Sequence, residues 1–528
     1  MRRLVVALAL LCSALVTLAM PTTAQASSSA PEPEMIARKI TTQTAGPSGF
    51  LAPNDVMPWG LDRVDARTGR DNSFTYATDG TGVKAYVVDS GVNALHGDFS
   101  SRVLSGWSYR SRTSDPTGAA LTSYNNAINA YSLNPANGIA PCAYNTQIHQ
   151  VNPSTFDGVR DDLDVGGLDN DGHGTHVAGS IGGSTTGVAK AVSIVPVRVL
   201  DSCGSGTTTM VLNGINWILA DHLPGEKAVV NMSIGFESTA TSIDTAIKNL
   251  LAEGIVVVAA SGNDGGSACG ITPAGTQGTI SVGASTYNDL EPYFSNFGSC
   301  VDIFAPGQTI VSSWPKYNST LNTYAGETGT SMAAPHVAGA VARYLQTATV
   351  TSTTPTAAWN WLKTNATCNA ITYYTSSTTD TSRVSLAKTP NRLLAIDAPA
   401  SVPCAPNSVT ATVASESSVV TWDEVVAGNG SAVTAYMATA TPGGKTCSVP
   451  SGTTCTITGL VNDTTYSISV TATNGIGVGA GSTAVSVKPV DVQATVPSAI
   501  QNVTVTTADK SAVIKWDGGV ATNGSPIT

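Results

Sequence analysis

VKAYVVDSG, residues 83–91, is a short apolar run that ends in a carboxylate, a serine and a glycine. An apolar run of this length, closed by a turn signal, is typical of a strand buried on both faces of a parallel sheet. Three further runs have the same character: Ser193–Leu200, Ala228–Ile234 and Gly254–Ala260. The sequence therefore predicts a sheet of buried parallel strands.

Helical patterns separate these strands. Thr207–Leu223 and Ser238–Glu253 repeat apolar residues at helical spacing, and Gly254 follows the second segment as a C-cap. This alternation predicts an α/β fold, a doubly wound parallel sheet with helices on both faces. Ligands of such sheets bind at the carboxyl ends of the strands, so the residues that follow each strand are the candidates for chemistry.

The N-terminus predicts export. Arg2 and Arg3 precede the apolar run Leu4–Leu18, and Ala24-Gln25-Ala26 offers a small-residue cleavage site, so residues 1–26 have the pattern of a secretory signal peptide. No later run approaches the roughly 20 apolar residues of a membrane-spanning helix. We expect a secreted, extracellular monomer with no membrane partner.

Charge and cysteine usage narrow the class further. The 528 residues carry 26 basic and 36 acidic side chains, a formal net charge of −10, so no nucleic-acid partner is expected. One of the nine cysteines, Cys12, lies in the signal segment, which leaves an even number. In an exported chain an even number favours disulfides over metal sites.

The composition changes beyond about residue 401, where Val, Thr, Ser and Gly dominate. Residues 409–431 parallel residues 503–525, and Trp422 matches Trp516. A repeat with an early core tryptophan and the later Tyr466 resembles the fibronectin type III module, an all-β sandwich. The second copy stops soon after it begins, so we expect it to be truncated. An inert spacer and a polysaccharide-docking role remain alternatives for these modules.

Three polar residues stand where the fold predicts chemistry. Asp89 ends the first strand, His173 opens a helix in DGHGTHVAG, and Ser331 opens another in GTSMAAPHVAG. Because proline is tolerated in the first turn of a helix, Pro335 predicts that this helix begins at about Ser331. Singly, the three have ordinary explanations: a turn carboxylate, a capping or core histidine, and an N-cap serine. The histidines also lack the H-E-x-x-H pattern of a metalloprotease.

Together, in the chain order Asp, His, Ser, the three motifs are more specific. VVDSGV, DGHGTHVAG and GTSMAAPHVAG resemble the three catalytic blocks of the subtilisin-like serine peptidases, the subtilase family. PWGLDRV, VLDSCGSGT and TPNRLLAI resemble the proteinase K-like branch of that family. The resemblance extends over about residues 55–397. It implies a subtilisin-like fold and a serine endopeptidase that acts on protein or peptide substrates.

The resemblance assigns roles to individual residues. Ser331 is the nucleophile, His173 the general base and acid, Asp89 the orienting carboxylate and Asn263 the oxyanion donor. His176 and His336 match no catalytic position and are interpreted as structural. The chemistry needs no cofactor.

The same resemblance implies the substrate-binding residues, which form two segments: Ser233, Ile234 and Gly235, and Ala260, Ser261 and Gly262. An extended substrate would pair with the edge formed by the first segment. Neither segment contains Asp or Glu, so we expect the primary pocket to accept large apolar or aromatic side chains. Phe236 stands where the family usually has a glycine, and we expect it to narrow the groove.

A structural calcium site is a further expectation. Asp302 matches a calcium-ligand carboxylate of proteinase K-like enzymes, and the backbone carbonyls of Gln277 and Thr279 would complete the site. The alternative is a strand-end aspartate bonded to local amides.

Four disulfides are expected. Cys269–Cys300 resembles a bridged segment of proteinase K relatives, and Cys142–Cys203 is placed in the same domain. Cys447–Cys455 suits a local hairpin, and Cys368–Cys404 follows by exclusion.

The expected domain organisation is a signal peptide (1–26), a short N-terminal or pro segment (27–54), a peptidase domain (55–397, with an insertion at about 108–165), a linker (398–403), a fibronectin type III module (404–489) and part of a second module (496–528).

The acidic stretch 157–172 is interpreted as a solvated loop, with a calcium-binding or substrate-rim loop as the alternative. The N-terminal segment is shorter than the inhibitory prodomain usual in the family. The rival to an active peptidase is a binding protein with an inactive peptidase-like domain.

Overall fold

The structure is a computed structural model that describes residues 35–39, 57–109, 160–161, 169, 171–201, 204–315, 323–374, 389–425, 428–491 and 502–515. The predicted signal peptide, most of the predicted insertion, Cys142, Cys203 and Trp516 lie outside these residues.

The main sheet has ten strands among the described residues: β2 Val83–Asp89, β3 Gly106–Ser108, β4 Arg160–Asp161, β5 Ser193–Arg198, β7 Lys227–Met232, β9 Val256–Ala260, β10 Ile280–Ser285, β11 Ile303–Pro306, β14 Thr367–Cys368 and β15 Arg392–Leu393. Their spatial order is β14-β15-β11-β10-β9-β7-β2-β5-β3-β4. The strands from β15 to β3 are parallel, and the edge strands β14 and β4 are antiparallel to their neighbours. The predicted parallel sheet is confirmed.

Helices cover both faces of this sheet. The described helices are α1 Trp59–Val64, α2 His173–Gly182, α3 Thr208–Asp221, α4 Thr241–Ala252, α5 Thr330–Leu345 and α6 Thr354–Asn365. Strand β2 divides its side chains between two cores: Val87 packs in the core that contains α2 and α5, and Val88 packs in the core that contains α3 and α4. This alternation across a buried strand is what a doubly wound sheet requires.

The element boundaries differ from the sequence prediction in two places. The run Ala228–Ile234 is broken, because the strand ends at Met232 and a separate strand β8 covers Ile234–Phe236. Strand β9 begins at Val256, since Gly254 has a φ of 86° and reverses the chain after α4. A side chain at Gly254 would also collide with the carbonyl oxygen of Thr351, so both the positive φ and the lack of space require glycine here.

Two small antiparallel sheets flank the main one. Strands β12 (Ile310–Trp314) and β13 (Thr323–Glu327) pair with each other. Strand β1 (Ile36–Lys39) lies between β6 (Ser205–Thr207) and β8. An N-terminal segment therefore pairs with the edge that the sequence predicts for substrate.

The C-terminal region is all β. A three-stranded sheet holds β16 (Thr410–Ala414), β17 (Ser417–Thr421) and β20 (Thr454–Thr458), and a four-stranded sheet holds β18 (Val433–Thr441), β19 (Lys445–Val449), β21 (Tyr466–Asn474) and β22 (Val485–Val487). Trp422, Tyr436 and Tyr466 are buried in the core that these strands form. Of the predicted second module, the structure describes the hairpin of β23 (Thr504–Ala508) and β24 (Ser511–Lys515).

Three of the four expected disulfides are present: Cys269–Cys300, Cys368–Cys404 and Cys447–Cys455. The second of these joins the end of the α/β region to the start of the β region. Asn429 supports the same junction, because its Oδ1 accepts from the Cys368 amide at 3.1 Å and its Nδ2 donates to the Val402 carbonyl at 2.9 Å.

Candidate active site

Two predicted catalytic side chains meet at the carboxyl end of β2. Asp89 is the last residue of β2, and His173 is the first residue of α2. The imidazole Nδ1 of His173 lies 2.8 Å from Asp89 Oδ1, and both side chains are buried. Because a carboxylate accepts at Nδ1, the neutral ring carries its proton there and can take a second one at Nε2.

Ser331 is the second residue of helix α5, after an extended Gly329 with a φ of 159°. Its Oγ donates to the carbonyl oxygen of Ser233 at 2.8 Å, and its side chain is fully buried. A backbone N–H at this helix position has no partner within the helix, and the helix dipole places partial positive charge there.

The prediction that Pro335 lies in the first turn of this helix is wrong. The helix begins at Thr330, so Pro335 is its sixth residue and lies in the second turn. Proline has no N–H, and the carbonyl of Ser331 therefore lacks its usual helical donor. The hydroxyl of Ser233 donates to that carbonyl instead, at 2.9 Å.

Asn263 follows β9 and faces the start of α5. Its Oδ1 accepts from both the amide and the hydroxyl of Thr330, each at 2.9 Å. Its Nδ2 is a buried donor with no hydrogen-bond partner among the described residues. The fixed carboxamide therefore leaves a donor beside the N-terminus of the helix that carries Ser331.

The other predicted substrate-binding residues line the same region. Ser233, Ile234, Ala260 and Ser261 are buried, and Gly235 is half-buried. Gly262 has a φ of 106°, and its amide donates to Thr330 Oγ1 at 3.1 Å. Phe236 is buried and lies opposite Ala37 of β1, two residues beyond Ile234 in the chain.

The two further histidines of the motifs bond to backbone carbonyls. His176 Nε2 lies 2.9 Å from the Ile310 carbonyl, and His336 Nδ1 lies 2.8 Å from the Met332 carbonyl. Burial lowers the pKa of His176 to about 3 and that of His336 to about 4, so both rings stay neutral. His176 connects its helix to strands β12 and β13, whereas the bond of His336 stays within helix α5. Neither histidine belongs to the Asp89–His173 pair.

Asp169 is a residue that sequence reasoning missed, because the acidic stretch around it suggested a solvated loop. It is fully buried, and burial raises its pKa. One carboxylate oxygen accepts from Ser90 Oγ at 2.9 Å and from the Gly172 amide at 2.8 Å, and the other accepts from Thr175. A carboxylate just before a helix start was the signal that could have found it.

Of the three predicted calcium ligands, Asp302 is the one that offers a carboxylate. Asp302 Oδ2 accepts from the Ser281 amide at 2.9 Å, and burial raises its pKa to about 6. Gln277 is exposed and Thr279 is buried nearby in sequence. Among the described residues no group of three or more His, Cys, Asp or Glu side chains could hold a metal. A buried carboxylate such as Asp302 is the kind of oxygen ligand that a hard cation takes, so calcium remains a prediction.

None of the helices in the described part of the chain is long and apolar enough to cross a membrane.

Comparison with known proteins places this geometry in a family. A profile of the subtilase family matches residues 80–382, and a fibronectin type III profile matches residues 404–488. An extracellular serine proteinase of Thermus sp. (strain Rt41A) is 39% identical over 289 residues, which are 54% of this chain and 57% of that protein. Alkaline serine exoprotease A of Vibrio alginolyticus is 38% identical over 289 residues, 54% of this chain and 43% of that protein.

The chain thus spans about half the length of the curated relatives it matches. Among solved structures, a cold-adapted subtilisin-like serine proteinase aligns with 64% of this chain and 98% of its own, at 34% identity and a TM-score of 0.48. The family profile covers more than half of the chain, and its match includes the motifs around Asp89, His173 and Ser331. The chain belongs to the subtilase family and carries a C-terminal fibronectin type III module.

Proposed function

We propose that this protein is a secreted serine endopeptidase that hydrolyses peptide bonds through an acyl-enzyme. The observation that carries the proposal is the buried bond between His173 and Asp89, at the same end of the sheet as the N-terminus of the Ser331 helix. A serine hydroxyl is a weak nucleophile until a neutral imidazole can take its proton. Family membership and the names of the relatives support the same chemistry.

In the first step Ser331 Oγ attacks the carbonyl carbon of the scissile bond while His173 takes the hydroxyl proton at Nε2. The hydroxyl turns from the Ser233 carbonyl toward the imidazole for this transfer. Asp89 stabilises the imidazolium that forms, because it is an anion bonded to the other ring nitrogen.

The carbonyl oxygen becomes an oxyanion in this step. Two donors are available to it: Nδ2 of Asn263 and the backbone N–H of Ser331 at the helix start. The imidazolium then protonates the leaving amine, which departs and leaves the acyl group on Ser331. Water, deprotonated by His173, hydrolyses this ester and restores the hydroxyl.

Strand addition is the substrate-binding mode we propose. Strand β1 already lies antiparallel to β8, with Arg38 opposite Gly235 and Lys39 opposite Ile234, and antiparallel to β6 on its other side. Its carboxyl end lies one residue from Ser233, whose carbonyl holds the Ser331 hydroxyl. A substrate that enters this groove must displace β1, so residues 27–54 act as a short pro segment.

The proposed specificity follows from the groove walls. The segments 233–235 and 259–262 carry no charged side chain, so the primary pocket suits large apolar or aromatic residues. Phe236 is buried and lies opposite Ala37 in the strand register, and we expect it to narrow the groove and favour medium-sized substrate side chains. The remaining domain organisation is proposed as the sequence predicts it, with the fibronectin type III modules as a spacer.

The direct test is digestion of denatured casein and of a peptide library by the purified full chain, with and without an irreversible serine-directed inhibitor. We expect inhibitor-sensitive cleavage after large apolar residues. The rival function, peptide binding by an inactive domain, predicts binding without cleavage. A strong preference for Arg or Lys would contradict the proposed pocket.

A further inference from the structure

Helix α5 contains a defect at the residue it presents for catalysis. In an α-helix the amide of residue i donates to the carbonyl of residue i−4. Pro335 has no amide hydrogen, so the carbonyl of Ser331 cannot be bonded from within the helix. That carbonyl belongs to the proposed nucleophile itself, and its surroundings are fully buried. A buried carbonyl needs a partner from another element.

Ser233, in the connection between β7 and β8, supplies that partner. Its Oγ donates to the Ser331 carbonyl at 2.9 Å and accepts from Asn231 Nδ2 at 2.9 Å. The hydroxyl of Ser233 therefore points in one direction only, since its proton and a lone pair are both engaged. Ser331 Oγ in turn donates to the Ser233 carbonyl at 2.8 Å, so two hydrogen bonds join the two serines.

The buried side chain of Asn231 leaves one of its polar atoms without a hydrogen bond. It is fully buried in strand β7, and its Oδ1 has no hydrogen-bond partner among the described residues. A buried, unsatisfied carbonyl oxygen destabilises a fold, and an apolar residue would avoid it. What the asparagine provides at this position is its amide donor to Ser233.

We propose that the side chains of Ser233 and Asn231 are positioning residues for the nucleophile: they hold the Ser331 carbonyl in place of the helical bond that Pro335 removes. The inference rests on the proposed function and deepens it. Neither side chain touches the reacting atoms. They fix the backbone of Ser331, and with it the direction of its hydroxyl and of the N–H that faces the oxyanion.

A rescue experiment tests this assignment. In Ser233→Ala the Ser331 carbonyl has no donor, and in the double variant Ser233→Ala/Pro335→Ala the new amide of residue 335 can supply one. Ser418→Ala is the matched control, because Ser418 is a fully buried serine whose Oγ donates to a backbone carbonyl, that of Thr412, in the β region. The measurements are kcat and KM on a chromogenic peptide, melting temperature, and the fraction of active sites counted by end-point labelling with a serine-directed inhibitor.

We expect Ser233→Ala to lower kcat per active site about 10- to 100-fold with KM nearly unchanged, since a small displacement of a nucleophile has effects of this order. The double variant should recover most of that loss, and Ser418→Ala should keep wild-type kcat. Asn231→Ala should lower kcat less than Ser233→Ala, because the hydroxyl remains but is no longer directed.

Two results would overturn the inference: wild-type kcat per active site in Ser233→Ala, or no recovery in the double variant. If Ser233→Ala does not fold, Asn231→Ala decides, and wild-type kcat in that variant would also overturn it. Failure of the proposed function is a different result, because the wild-type chain itself would then neither cleave peptide nor react with the inhibitor.

Discussion

Acid should destabilise this protein through the buried histidines whose pKa is lowered, His96, His176 and His336, and His336 allows the cleanest test. Its side chain is 2% exposed, its Nδ1 bonds to the Met332 carbonyl, and burial lowers its pKa to about 4. In the unfolded chain a histidine has its ordinary pKa of about 6.5. The unfolded state therefore binds more protons than the folded state whenever the pH lies below about 6.5.

The sign and size of the effect follow from this difference. Stability from the neutral ring is complete above about pH 6.5 and is lost as the pH falls toward about 4, where the loss levels off. At about pH 5 the unfolded histidine is almost fully protonated and the folded one is not. The free energy of unfolding should fall by about 2 kcal/mol for His336 alone, at 1.36 kcal/mol per pH unit.

The assay is urea unfolding at about pH 7 and about pH 5, in the Ser331→Ala background so that unfolded chains are not digested. His336→Gln removes the titration but keeps an amide that can donate to the Met332 carbonyl. We expect the difference in unfolding free energy between the two pH values to shrink by about 2 kcal/mol in this variant. An undiminished difference would refute the assignment of a buried, neutral His336.

Four further predictions concern the site and its supports. Asn263→Ala should lower kcat about 100- to 1000-fold with the Asp89–His173 pair intact, measured on a peptide substrate, and near-wild-type kcat would remove its oxyanion role. Deleting residues 27–54 should lower KM for peptides, whereas an unchanged KM would mean that β1 does not compete with substrate. Calcium should raise the melting temperature of the wild type but not of Asp302→Ala, and an equal rise in both would place the ion elsewhere. Asn429→Ala should lower the free energy of unfolding by about 2 kcal/mol in chemical denaturation, and no change would show that the junction does not depend on its two bonds.

Local sequence patterns predicted the elements that hold the proposed catalytic residues. Strand β2 has the predicted bounds, because a continuous apolar run closed by Asp89 and a turn leaves little alternative. The sequence also predicted a helix that begins at about Ser331, and the helix begins at Thr330 with Gly329 as its N-cap. The roles predicted for the three motif residues came from the family resemblance, because the periodicity of a sequence predicts helices and strands but not catalytic roles.

What the sequence could not predict depends on contacts between distant residues. The donor that replaces the missing amide of Pro335 comes from Ser233, 98 positions away from Ser331, and nothing in either local pattern links the two. In the sequence Asp169 does not differ from the other acidic residues of its loop, and its hydrogen bond from Ser90 is visible only in the folded structure. The pairing of β1 with β8 likewise follows from the fold, since Ile36–Lys39 is too short and too mixed in polarity to predict a strand alone.

The proposed function requires Ser331 to be a nucleophile activated by His173 and Asp89. The most direct measurement treats the folded wild-type chain with an irreversible serine-directed inhibitor and maps the modified residue by mass spectrometry, with Ser331→Ala and His173→Ala alongside. We expect stoichiometric modification of Ser331 with parallel loss of hydrolysis, very slow modification in His173→Ala, and none in Ser331→Ala. Modification of a different serine, or hydrolysis that persists in folded Ser331→Ala, would contradict it.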